Sequence, residues 1–141
     1  MATEQRTTVE IEAPAERVWA LLSDVERWPE WTASMSSVTL LDAALAVGSR
    51  ATVEQPRLPR ATWTVTALEE GIEFDWASAM PGVLTVGRHH VEMVDEGHSR
   101  VVLTVHQSGL LGPVARLAYG RLTRRYLKLE AAGLKTRCEA R

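Results

Sequence analysis

Two periodicities of apolar and polar residues alternate along this chain, and their order predicts its elements. Thr7-Thr8-Val9-Glu10-Ile11-Glu12 runs at period two, the mark of a strand with one buried face. Ala13-Pro14 ends it, and Pro14 suits the first turn of a helix, where a missing N–H costs nothing. Val18, Leu21, Leu22 and Val25 then recur at three- and four-residue spacing and predict an amphipathic helix. It should stop at Trp28-Pro29, because a residue before proline avoids helical dihedrals. A short second helix or irregular turn through Trp31 and Met35 follows.

From Ser37 the texture changes to short β-branched runs punctuated by glycine, proline and acidic clusters. Six further strands are expected, at Val38–Leu41, Ser49–Gln55, Ala61–Leu68, Ile72–Ala79, Leu84–Met93 and Arg100–Ser108. Glu69-Glu70-Gly71 and Asp95-Glu96-Gly97 have hairpin chemistry, whereas the proline-bearing segment Gln55–Arg60 reads as a loop. Pro113 opens a helix reaching about Arg137, with Leu111, Val114, Ala115, Ala118, Leu122, Tyr126, Leu129 and Gly133 on one stripe.

Alternation sorts the strands into faces. Trp63, Val65 and Ala67 share the core side of one strand, and Ile72, Phe74, Trp76, Ser78 and Met80 that of the next. Val101, Leu103, Val105 and Gln107 lie opposite Val102, Thr104 and His106. Leu84–Met93 is apolar on both faces; the set with Val91 and Met93 is favoured, which turns His89 inward. The resulting inner surface is aromatic and aliphatic with a few polar groups, the mixture expected of a small-molecule cavity and also of a plain core.

Composition adds bounds. At 141 residues the chain fits one domain spanning 1–141, with 45% hydrophobic and 24% charged residues. A net charge of −2 argues against a nucleic-acid binder. The charge is uneven: residues 116–141 hold eight Lys/Arg against Glu130 and Glu139, so the first 115 residues carry −8. Late-helix cations ordinarily complement the helix dipole and flank an acidic body; contact with a phosphate, an anionic lipid or an acidic protein partner through Arg121, Arg124, Arg125 and Lys128 is the rarer use. The lone Cys138 can form no internal disulfide and fits a reducing compartment. With no apolar leader and no run of about 18 apolar residues, the expectation is a cytoplasmic protein without stable membrane insertion.

Candidate chemistry is sparse. His89 is the one histidine aimed inward, and it is either a satisfied polar core group or a general acid/base. His90 and His98 look exposed and His106 faces solvent. Adjacent His89-His90 on a strand point to opposite faces, and no further ligand cluster supports a metal. No nucleophile elbow or glycine-rich phosphate loop is present, so no cofactor is expected. Arg57 and Arg60, in the loop at the expected cavity mouth, are solvated arginines or grips for a ligand carboxylate or phosphate. Leu58 between two prolines is a candidate lid, and Trp28 and Trp31 could close the same rim.

The run Val9-Glu-Ile-Glu-Ala-Pro-Ala-Glu-Arg-Val-Trp-Ala-Leu-Leu-Ser-Asp-Val-Glu-Arg-Trp-Pro-Glu-Trp resembles the opening of the START-like (SRPBCC) superfamily, in its polyketide cyclase/dehydrase and lipid transport branch. The likeness continues through Ala61–Val65 and Gly87–Glu92 into Gly133-Leu-Lys. It implies an α+β helix-grip fold, a seven-stranded antiparallel sheet curled around a long C-terminal helix with two short helices after strand one. It also implies a cavity for a hydrophobic or aromatic, lipid- or polyketide-like molecule. The expected wall is Trp63, Val65, Phe74, Trp76, Met80, His89, Val91, Met93 and Leu103 from the sheet, with Leu122 and Tyr126 from the helix. Two activities fit: a carrier or sequestering protein, or an aromatase/cyclase-like enzyme with His89 as its acid/base. Fold alone does not choose between them.

Overall fold

The strands are β1 (Thr3–Ile11), β2 (Ser37–Leu40), β3 (Arg50–Glu54), β4 (Ala61–Glu69), β5 (Glu73–Met80), β6 (Val83–Asp95) and β7 (His98–Ser108). All seven join one antiparallel sheet in the order β1-β7-β6-β5-β4-β3-β2. This is a computed structural model, and it describes residues 3–140. Met1 and Ala2 of the leading segment, and Arg141 of the basic C-terminal run, lie outside the described residues.

Helix α1 (Ala15–Ser23) follows β1, with Pro14 as its N-cap. It is shorter than its sequence pattern predicts. Asp24, at φ −88° and ψ 71°, leaves the helical region, and the chain re-forms as a 3-10 helix, Val25–Glu30, that runs through Pro29 instead of stopping before it. The two short helices bury Val18, Trp19, Leu22, Val25 and Trp28 against the concave face of the sheet.

Helix α2 (Gly112–Glu139) spans 28 residues, roughly 42 Å at ~1.5 Å per residue. Its two halves differ. The second half buries Tyr126, Leu127, Glu130, Ala131, Leu134 and Cys138, a stripe offset by one position from the expected one, which leaves Leu129 and Gly133 only half-buried. Lys135 Nζ donates to Glu10 O at 2.9 Å, the Glu12 N–H donates to Glu139 Oε2 at 2.8 Å, and Arg137 pairs with Glu30 at 2.8 Å. Gly133 permits the closest approach: a Cβ there would lie 1.8 Å from Trp31 O. In the first half, Leu111, Val114 and Ala118, expected to face inward, are exposed.

Two bulges correct the expected strand faces. Val65 pairs with Trp76 but Ala67 pairs with Asp75, so the extra residue reverses the alternation; Ala67 turns to solvent and Leu68 packs on the core. Ile72 precedes its strand in the turn and is 40% exposed. Met93 sits beside the β6 bulge between Met93 and Asp95 and is 67% exposed, although His89 and Val91 on the same face are buried.

Candidate ligand cavity

Between α2 and the strands a space of about 290 Å³ remains, bordered by both halves of the helix. The helix contributes Ala115, Tyr119, Thr123, Tyr126, Leu127 and Glu130 to its wall. β4 to β7 supply Trp63, Trp76, Ser78, Met80, Val83, Thr85, Gly87, His89, Leu103, Val105 and Gln107. Leu58 and Pro59 cover one side from the β3–β4 loop, held in place where the Tyr126 hydroxyl donates to Pro56 O. The exposed lining is mostly apolar, as in small-molecule sites, and polar side chains that include Gln55, Arg88, Thr104 and Gln107 are set among it.

The aromatic wall is continuous with the core. Trp63 and Trp76 are 5.7 Å apart between ring centroids, and Trp28 lies behind them, 5.5 Å from Trp76 and 5.2 Å from His89. Gly87 leaves room for this arrangement, since a Cβ there would come within 3.2 Å of the Trp76 indole.

His89 stacks on Phe74 at 4.2 Å and 17° and places Nδ1 3.0 Å from Phe74 O. Burial in this apolar setting pushes its pKa down to about 4, so the ring is neutral at pH 7. A carbonyl only accepts, so Nδ1 carries the proton and Nε2 is left as the acceptor.

Glu130 is the residue the sequence pattern misses. The residue is 8% exposed on the cavity wall, and burial raises its pKa to about 8 against an opposing pull from the nearby Ser34 hydroxyl. The group is a neutral acid at pH 7, able to donate a proton or a hydrogen bond. A neutral base and a neutral acid thus border one apolar space. Among the described residues no three His, Cys, Asp or Glu side chains converge as metal ligands would.

Of the expected wall, Trp63, Trp76, Met80, His89, Leu103 and Tyr126 border the cavity. Val65, Phe74 and Val91 are buried in the packed core behind it, Leu122 is half-buried on α2 off the wall, and Met93 is turned out at its bulge. Of the expected rim, only Leu58 reaches the cavity. Trp28 is fully buried, its Nε1 donating to Leu22 O at 2.9 Å, and Trp31 packs on it at 5.3 Å. Arg57 and Arg60 are exposed; Arg60 pairs with Glu54 at 2.8 Å, and Arg57 takes a left-handed turn position at φ 69°.

Residues 2–139 match the family model described as polyketide cyclase / dehydrase and lipid transport. Among solved structures, the chain is similar to the Zhui aromatase/cyclase from Streptomyces sp. R1128, with TM-score 0.81 and 18% identity over 99% of this chain and 94% of that one. A START superfamily protein from Mycobacterium smegmatis gives TM-score 0.74 and 18% identity over 96% and 97%. Norcoclaurine synthase from Thalictrum flavum, solved with dopamine and hydroxybenzaldehyde, gives 0.76 and 10% over 96% and 86%. TM-scores of 0.74 to 0.81 at such low identity show a shared helix-grip fold. No match was found among curated proteins.

Proposed function

Since the chain belongs to the polyketide cyclase/dehydrase and lipid transport family, we propose that it binds a hydrophobic or aromatic small molecule between sheet and α2, as a one-domain carrier or sequestering protein. The observation that carries this reading is the mostly apolar space of about 290 Å³ faced by Trp63, Trp76, Tyr119 and Tyr126. That volume is about twice the ~150 Å³ that admits benzene in an engineered protein cavity, which suits a guest of one or two rings. Binding then comes from burying apolar guest surface at ~25 cal/mol per Å², less the cost of association. His89 Nε2 as acceptor and Glu130 as donor orient the guest's polar atoms.

The test is native mass spectrometry of the purified protein, with an unbiased search for retained small molecules, alongside Ala115→Trp, which fills the space from the helix side. A retained guest that Ala115→Trp excludes supports the reading. Absence of any guest, together with failure to bind naphthalene-type probes, overturns it.

One pair of residues favours a second reading, cyclase-like catalysis. His89 near 4 and Glu130 near 8 are pushed apart by burial, so a base and an acid coexist at neutral pH. Loss of turnover in His89→Ala with guest affinity retained would select catalysis over carriage.

A further inference from the structure

The first half of α2 bears an unpartnered surface beside the cavity. Leu110 and Leu117 are 94% and 90% exposed, and Leu111 and Val114 are 47% and 59% exposed. The β5–β6 turn adds Met80 and Leu84, at 56% and 43%. Turn and helix start are fastened together: the Leu111 N–H donates to Gly82 O at 2.9 Å, and the Leu111 side chain lies so close that a Cβ on Gly82 would be 2.7 Å from its Cγ. The six apolar side chains therefore form a fixed, projecting tip. It adjoins the cavity, because Met80, Pro81, Val83, Ala115 and Tyr119 line the cavity from the same turn and the same helix half.

Charge around the tip has one sign. From Leu110 to Leu129 there is no Asp or Glu, and there are five basic residues, Arg116, Arg121, Arg124, Arg125 and Lys128. Arg116, Arg121 and Arg124 border a separate surface hollow together with Leu117. No ion pair found among the described residues involves any of the five. Unpaired guanidiniums beside projecting leucines match a medium that is apolar inside and phosphate-covered outside.

We propose that this surface docks reversibly on an anionic phospholipid bilayer, with Leu110 and Leu117 entering the interface and Arg116, Arg121 and Arg124 meeting lipid phosphates. The cavity then opens at the membrane, and an apolar guest passes between bilayer and protein without crossing water. A lipid surface is favoured over a protein partner because side chains this exposed on a projecting tip need a deformable apolar medium, whereas a rigid partner would need a matching socket for each. No helix among the described residues is long and apolar enough to cross a membrane, and the docking is peripheral. It stands whether the guest is carried or converted.

Vesicle co-flotation tests it, using phosphatidylcholine vesicles with and without phosphatidylserine. The full chain should bind the phosphatidylserine vesicles, and binding should weaken about tenfold or more in 0.5 M salt as the charges are screened. Leu110→Ser and Leu117→Ser should each lower partitioning on the order of tenfold. Arg116→Gln, Arg121→Gln and Arg124→Gln combined should lower it on the order of 100-fold. Melting temperatures and guest retention should match the parent in all these variants, which separates a failure here from a failure of the cavity reading. No flotation, equal flotation on phosphatidylcholine alone, or flotation unaffected by the substitutions overturns the proposal. So does self-association that the two leucine substitutions abolish, because a second copy would then cover the tip.

Discussion

Glu130→Gln should make the protein more stable at neutral pH, by an amount that grows with pH. In the folded state the buried carboxyl titrates near 8, whereas its ordinary value is 4.5. Between these values the unfolded chain has released the proton and the folded chain still holds it, so the acid weakens folding steadily as pH rises. At ~1.36 kcal/mol per unit, the difference between variant and parent should widen by about 3 kcal/mol from pH 4.5 to pH 7 and by about 4 kcal/mol by pH 8, where the folded carboxyl is itself half-titrated. Glutamine keeps the shape and an oxygen able to accept from the Ser34 hydroxyl, so the two proteins should nearly coincide at pH 4.5. His89, across the cavity, is neutral in the folded state throughout pH 5 to 8, and its unfolded-state titration is common to both proteins. Urea unfolding followed by tryptophan fluorescence at pH 5, 6, 7 and 8 gives the difference directly. Parallel stability curves, with a gap independent of pH, would refute the assignment of a buried neutral acid.

Gly133→Ala should cost about 3 kcal/mol or more, because its Cβ would meet Trp31 O at 1.8 Å and push α2 off the 3-10 helix; a thermal melt checks it, and an unchanged midpoint refutes the close approach. Tyr126→Phe removes the hydroxyl bond to Pro56 O and should cost about 1 kcal/mol, with faster amide exchange confined to the β3–β4 loop. Cys138 is buried and its thiol is pushed up to about 11, mainly by burial. Native protein should therefore resist thiol reagents at pH 8, with labelling that follows global unfolding; rapid native labelling would contradict the packing of the last turn.

Strand positions along the chain and most strand faces could be read from the sequence because period-two alternation is strictly local. Phe74, Trp76, Val101 and Leu103 were placed inward by parity alone, and they are buried. Parity fails where a residue is inserted into the ladder, which is why Ala67 and Leu68 exchange faces and Met93 turns outward: a bulge is a relation between two strands and leaves no mark in one. The α2 stripe was displaced by a different cause. Leu111, Val114 and Ala118 extend an apolar pattern along the solvent side of a half whose inward face borders the cavity, and weighting them pulled Leu129 inward in place of Glu130. Reading Tyr126, Leu127, Ala131, Leu134 and Cys138 alone gives the right face and shows one acid on it. Trp28 and Trp31 resembled rim residues because their burial depends on the bend at Asp24, and Pro29, five positions later, does not specify that bend.

β1 lies beside β7, with Thr3 opposite Gln107 and Ile11 opposite Ser99. The first strand of the sheet must therefore wait for the last one before its ladder can form. A pairing of such sequence separation carries a large loop-closure entropy and slows folding. Until then β1 is an unmatched edge, and the nascent chain is most open to aggregation or chaperone capture in the interval before His98–Ser108 emerges.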